Sequence, residues 1–332
     1  YGSRPISKMR ILLTGSAGYI ARVLFLKKLL KETSVDEIVG IDILPQPTDI
    51  QDKKMSWIKY DLSKHGWENI ALEHCAFDAV IHLAFRIRSP YGKIKEAAEE
   101  NLALCKNVFD FAFRNKISKL IYLSSVAAYG ASAENIGVLL KETAPLKEKK
   151  SPYGVQKKDV EELLFKMFSK ARPETDISVL RLGSVTGPIG QNLKTKSISL
   201  IGFTRKILPF IIEADPAWAR QFVHEKDVAE VIWKLMNSAP KKQSVEIYNI
   251  APPSFLTARD MARLLKKVVI KVPKSFVRPL FWLAWNFTLG RIPTHPDSAA
   301  GLIYPINVDG SKIEKSGFRY RYTAEDALLA RP

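Results

Sequence analysis

Cysteine is nearly absent: Cys75 and Cys105 are the only two in 332 residues. They have no metal-ligand spacing and no disulfide framework, so a reduced cytoplasm is the expected setting and no metal is expected. Apolar runs of 18 residues or more are also missing, so no membrane-spanning helix is expected. Residues 1–8 are polar and hold no apolar leader core. There are no internal repeats or low-complexity tracts. No helix-turn-helix, zinc-finger or RNA-binding signature is present, which argues against a specific nucleic-acid partner. Acidic residues are the scarce charge, 34 against 51 basic, leaving a net charge of +17. The lysines are spread along the chain, so this reads first as a solvated basic surface. Attraction to anionic lipid is the less favoured reading.

What the chain has is rhythm. Short apolar runs at residues 10–14, 37–42, 56–60, 79–83, 119–124 and 177–182 read as strands. Helical stretches at about 19–31, 93–115 and 152–170 lie between them. Short apolar strands separated by helices describe an α/β fold, a doubly wound parallel sheet covered on both faces. Residues 8–185 are expected to form this dinucleotide-binding Rossmann domain. Residues 186–330 should be mainly a smaller substrate-binding lobe, with segments returning to the first domain. Helices are expected at 226–237 and 257–267 and a strand at 245–250. Residues 190–222 have no clear rhythm and should lie over the cofactor. Residues 271–296 are unusual, rich in Pro and Trp.

Three motifs carry chemistry. Thr14-Gly15-Ser16-Ala17-Gly18-Tyr19-Ile20-Ala21 follows a strand and opens a helix. Gly15 permits the turn, Gly18 admits a pyrophosphate, and the N–H groups at Tyr19 and Ile20 face it. Asp42, ending the second strand, would accept from the ribose hydroxyls and repel a 2′-phosphate, which selects NAD over NADP. Asp61-Leu62 and Leu83-Ala84, after the third and fourth strands, are the other expected cofactor contacts. His82 is read as structural. The Ser124-Ser125 pair ends the fifth strand. Tyr153 and Lys157, at i and i+4, share one helix face. An ammonium near a phenol lowers the phenol pKa and gives a base usable near neutrality.

These residues resemble the extended short-chain dehydrogenase/reductases, the NAD-dependent epimerase/dehydratase family. Nearly the whole chain takes part. Thr14-Gly15-x-x-Gly18-x-x-Ala21 matches the Gly motif, and His82-Leu83-Ala84 with Asn101 matches the fourth strand and its helix. Tyr122-Leu123-Ser124-Ser125-Val126-Ala127-Ala128-Tyr129-Gly130 matches the serine strand, and Ser151-Pro152-Tyr153-Gly154-x-x-Lys157 the catalytic helix. Leu180-Arg181-Leu182-Gly183-Ser184-Val185-Thr186-Gly187-Pro188 is similar to L-R-P-x-x-V-Y-G-P. Arg220-Gln221-Phe222-Val223-His224-Glu225-Lys226-Asp227 resembles R-D-F-V-H-V-D-D. The resemblance implies that Ser125 holds the substrate oxygen, Tyr153 moves its proton, and Lys157 holds the nicotinamide ribose. It also implies substrate contacts at Phe85, Ser184 and Arg220, the last to a diphosphate. Family members commonly form homodimers through the helices after residue 93 and around Tyr153. Here those helices carry Val108, Phe109, Phe111, Leu163, Leu164 and Phe165.

Departures from the pattern narrow the branch. Sugar-nucleotide 4,6-dehydratases carry Asp and Glu where this chain has Val126 and Ala127, which transfer no protons. A nucleotide-sugar epimerase or oxidoreductase is therefore the leading reading. Ser184 in place of Asn and the aromatic stretch 276–287 favour the alternative, a dehydrogenase/isomerase of a hydrophobic, sterol- or isoprenoid-like alcohol. That stretch reads first as a helix packed on the substrate lobe. A non-catalytic NAD-binding sensor is the third reading, opposed by the intact Ser125, Tyr153 and Lys157. Calorimetry should show tighter binding of NAD(H) than NADP(H). Asp42→Ala should narrow that preference, and equal affinities in the unaltered protein would contradict the role of Asp42.

Overall fold

The computed structural model of the chain describes residues 8–192 and 200–331. Its first half alternates strand and helix: β1 Met9–Thr14, α1 Tyr19–Leu24, β2 Val35–Asp42, β3 Met55–Lys59, α2 Trp67–His74, β4 Ala79–His82, α3 Ile94–Arg114, β5 Lys119–Ser125, α4 Pro152–Ala171 and β6 Asp176–Leu182. The π-helical turn Phe25–Leu29 prolongs α1. Consecutive residues Ile11, Leu12 and Leu13 are all fully buried, so both faces of β1 are covered, as a parallel sheet requires.

The second half holds β7 Ser184–Thr186, α5 Pro188–Asn192, α6 Leu200–Lys206, β8 Phe210–Glu213, β9 Ala219–Arg220, β10 Phe222–His224, α7 Glu225–Asn237, β11 Ser244–Ile250, β12 Leu256–Thr257, α8 Ala258–Leu265, β13 Val268–Lys271, α9 Lys274–Phe287, α10 Ala300–Ile303 and α11 Ala324–Leu329. β11 returns to the main sheet, which reads β11-β6-β5-β4-β1-β2-β3, parallel throughout. The order reverses between β4 and β1. Ligands of such sheets bind beyond the strand ends at that reversal.

Several elements differ from the sequence reading. α2 was not foreseen; Trp67, fully buried, fixes it against Phe111 with ring centroids 4.9 Å apart. The helix expected to 267 stops at Leu265, where Lys266 turns left-handed and β13 begins. β13 pairs with β8 in a small sheet. Residues 271–296 contain the regular helix α9 despite Pro279, and it covers the stretch 276–287 read from the sequence as a helix on the lobe. The Ser275 carbonyl, deprived of a donor by that proline, belongs to an exposed residue. Residues 193–199 of the arrhythmic stretch lie outside the described residues. Val108, Phe109, Phe111 and Leu164, named for an intersubunit surface, are buried in the chain's own core. Only Leu163 and Phe165 of that set are partly exposed.

A buried ion pair ties the sheet to α4. Arg181 on β6 donates from Nη2 to Glu161 Oε2 at 2.7 Å and from Nε to both carboxylate oxygens. Glu161 has no exposed surface. The Ser124 hydroxyl donates to the same carboxylate. Arg181 Nη1 donates to the Tyr129 hydroxyl at 2.7 Å, which donates in turn to Asn249 of β11 at 2.8 Å. The pair thus links β6 and α4 directly, β5 through Ser124, and β11 through Tyr129. Replacing one partner strands the other charge in the core, which costs about 3–5 kcal/mol. Arg181→Met should lower the urea midpoint accordingly, and Arg181→Met with Glu161→Leu should recover much of the loss.

Candidate functional site

The cofactor end is built by β1 and the turn into α1. Gly15 has φ +69°, and a Cβ there would lie 2.6 Å from the Ala84 nitrogen. Only glycine allows that approach of the turn to the end of β4. The N–H groups of Tyr19 and Ile20 have no partner among the described residues. Asp42 accepts from the Ala17 N–H at 3.0 Å and the Leu44 N–H at 2.9 Å, so its carboxylate lies against the Gly-rich turn. Ala84 donates to Thr14 Oγ1 at 3.3 Å. His82 is buried between Thr14 and Cys105, at 2.7 Å and 3.2 Å. Burial and then the Lys157 charge push its pKa down to about 3, so it stays neutral, as a structural residue should. Asp61 is exposed and accepts from the Ser63 N–H and hydroxyl, in a turn. Leu62 is buried, with its carbonyl taken by Asn107.

The two serines separate cleanly. Ser124 is spent on Glu161, whereas the Ser125 hydroxyl accepts the Ala127 N–H at 3.2 Å and lies near enough to the Tyr153 phenol to pull its pKa down. Gly154 makes this approach feasible, because a Cβ there would lie 2.6 Å from the Ala127 carbonyl oxygen. Burial raises the Tyr153 pKa, and Ser125 draws it partly back. The expectation that Lys157 supplies the lowering is not met in this geometry. The Lys157 ammonium donates to the Leu123 carbonyl at 2.7 Å and lies 3.6 Å over the centre of the Phe85 ring. Phe85 in turn meets Tyr153 edge-on at 6.0 Å. Burial brings the Lys157 pKa down to about 8 against the opposing pull of Cys105 and Glu161.

Beyond Tyr153 lies a cavity of about 740 Å³. Phe203, Phe210, Ile212, Trp218, Phe281 and Leu302 make its walls largely aliphatic and aromatic. The carboxylates on its lining are already engaged. Glu148 accepts three backbone N–H groups at the start of α4, and Asp297 pairs with Arg278. Arg220 is different. It donates to the Gly301 carbonyl at 3.1 Å and stacks on Trp218, with no carboxylate partner among the described residues. Burial lowers its pKa. The Thr294 hydroxyl, also on the lining, is buried without a hydrogen-bond partner. Ser184, on β7 beside β10, is not on this lining.

One group escaped the sequence reading. Glu225, fully buried, accepts from the Tyr19 hydroxyl at 2.5 Å and from the Ile189 and Gly190 N–H groups at 2.8 Å and 3.0 Å. It joins the start of α1 to the start of α5. The available signal was an acid where the resembled pattern has Val. Gln221, which stands where that pattern has Asp, bonds Val308 and Pro252 and staples the lobe to the C-terminal segment.

A family model, "NAD dependent epimerase/dehydratase family", matches residues 11–251. Among curated proteins, a UDP-glucose 4-epimerase of Erwinia amylovora is 23% identical over 78% of this chain and 82% of its own. A probable UDP-arabinose 4-epimerase of Arabidopsis thaliana is 24% identical over 77% of this chain and 68% of its own. A UDP-glucose 4-epimerase of Thermotoga maritima, solved with UDP-glucose, superposes with TM-score 0.73 at 19% identity, covering 97% of both chains. The Bordetella bronchiseptica enzyme WbmG, solved with NAD and UDP, also gives 0.73 at 20% identity, over 98% of this chain and 93% of its own. Those likenesses show the fold. No group of three or more His, Cys, Asp or Glu residues is placed to hold a metal ion among the described residues.

Tyr153→Phe removes one hydroxyl from the junction of Ser125 and the cavity. It should cost about 10²–10⁴-fold in turnover, the range for a lost proton carrier. NAD binding by calorimetry should be nearly unchanged. A rate close to that of the unaltered protein would remove Tyr153 from the chemistry.

Proposed function

The chain belongs to the NAD dependent epimerase/dehydratase family, and from that membership we propose an NAD-dependent oxidoreductase or epimerase acting at a secondary alcohol or ketone. The observation that supports this reading is Tyr153 on the wall of the open cavity, with Ser125 beside it and Lys157 one turn further along α4. The Gly15 cradle, the free N–H groups of Tyr19 and Ile20, and Asp42 fit NAD, with Leu83 and Ala84 beside them. Bound NAD supplies the hydride acceptor and donor. In oxidation Ser125 hydrogen-bonds the substrate oxygen and Tyr153 takes its proton as the carbinol hydrogen leaves as hydride. In reduction Tyr153 returns the proton. Lys157 would hold the nicotinamide ribose of bound NAD, and its ammonium would then bring positive charge toward the phenol. Val126 and Ala127 offer no acid or base for elimination, which supports hydride transfer without dehydration.

For the substrate, a nucleotide sugar is the leading reading. Arg220 is a half-buried cation on the cavity wall with no acid partner among the described residues, and a diphosphate would satisfy it with paired N–H donors. The names of the curated relatives point the same way. A second reading, a hydrophobic alcohol or ketone, is favoured by one observation, the aliphatic and aromatic walls around Arg220. UDP or dTDP alone should raise the melting temperature, and Arg220→Ala should abolish that rise and increase KM. No shift with any nucleoside diphosphate, together with full activity of Arg220→Ala, would transfer the reading to the hydrophobic substrate.

A further inference from the structure

α9 is apolar on two faces, and only one of them is used. Val277 and Phe281 are buried on one side. Trp285 packs on Tyr91 and His295, and Asn286 accepts a hydrogen bond from the Tyr91 hydroxyl at 2.7 Å. With about 100° between successive residues, Phe276, Leu280, Leu283 and Phe287 fall on a second, narrow stripe. All four are exposed, Phe276 by 59% and Phe287 by 83%, and Trp282 on a flank by 54%. Leu289 just beyond and Ile270 on β13 are exposed as well.

The charge around this stripe has one sign. From Lys266 to Arg291 the chain carries six basic residues and no acidic one. The nearby acids are engaged: Asp215 pairs with Lys274 and Asp297 with Arg278. Lys266, Lys271 and Arg291 are exposed and form no ion pair among the described residues. A second copy of the chain would bring like charges together. An anionic lipid surface satisfies both features, taking the aromatic stripe at the headgroup–acyl boundary and the cations at the phosphates. No helix among the described residues is long and apolar enough to cross a membrane, so the contact would be peripheral.

We propose that the α9 stripe, with β13 beside it, seats this protein on an anionic lipid surface. The same wall reaches inside. Leu280 and Ala284 of α9 and Ile270 of β13 line the cavity, so the seated face adjoins the substrate space. The inference rests on the exterior of the lobe and holds for either substrate reading.

The test is flotation of the full chain with phosphatidylcholine vesicles and with vesicles containing phosphatidylglycerol. The expected result is binding to the anionic vesicles, weakened by salt, and little binding to the zwitterionic ones. Leu283→Ser with Phe287→Ser should reduce binding about tenfold or more, since both apolar insertion and charge are needed. Lys271→Glu with Arg291→Glu should reduce it on anionic vesicles alone. Tryptophan emission should shift to the blue on the vesicles, and Trp282→Phe should diminish that shift. Absence of flotation overturns the proposal, as does a Leu283→Ser/Phe287→Ser protein that floats like the unaltered one. A protein whose dimer dissociates on those two serine substitutions while vesicles leave it unbound assigns the face to self-association and also overturns it.

Discussion

The ion pair between Arg181 and Glu161 is the contact on which the geometry of the site depends. Glu161 lies one helical turn beyond Lys157 and two beyond Tyr153, on the same helix. Its carboxylate holds that helix against β6 and, through Ser124, against the end of β5. Ser125 is the next residue, turned toward Tyr153 because its neighbour is turned toward Glu161. A surface pair would be too weak for this task. A buried pair whose oxygens are all engaged fixes direction as well as distance.

The site joins two unlike environments. On the cofactor side polar groups are dense and backbone N–H groups are free at a helix start. On the substrate side the walls are apolar and a single unpaired guanidinium stands among them. Tyr153 lies at the boundary. Burial holds its proton on, which suits a donor, and Ser125 opposes that pull. Lys157, brought down to about 8 by the same burial, sits near its own switching point at neutral pH. Charge delivered to this small volume would therefore act on both groups at once.

The sequence made the Rossmann half legible because strand, turn and helix there are local events. The apolar run Ile11-Leu12-Leu13 followed by Gly15 and Gly18 has few other solutions. Asp42 ends β2, Ser125 ends β5, and Tyr153 and Lys157 lie on α4, the elements expected of them, for the same reason. The substrate lobe was less legible, since its strands are two to four residues long and pair across long separations. α9, read from the sequence as a helix on the lobe, is sustained around Pro279 by tertiary packing against its propensity. Glu225 could be seen only as a departure from a pattern. Its meaning depends on Tyr19, and that bond spans 206 positions. A helix periodicity does not distinguish its own core from a partner's, and Val108, Phe109, Phe111 and Leu164 belong to the chain's own core.

The return of β11 to the sheet bears on how the chain is made. It pairs along its whole length with β6, at a separation of 68 residues. Until the ribosome has delivered residue 250, β6, largely buried in the finished fold, is a bare edge strand. Such an edge is a template for intermolecular pairing. The lobe in between must emerge, and at least partly collapse, while that edge waits. A nascent chain that stalls within the lobe would thus leave this edge exposed, and swift completion of translation protects it.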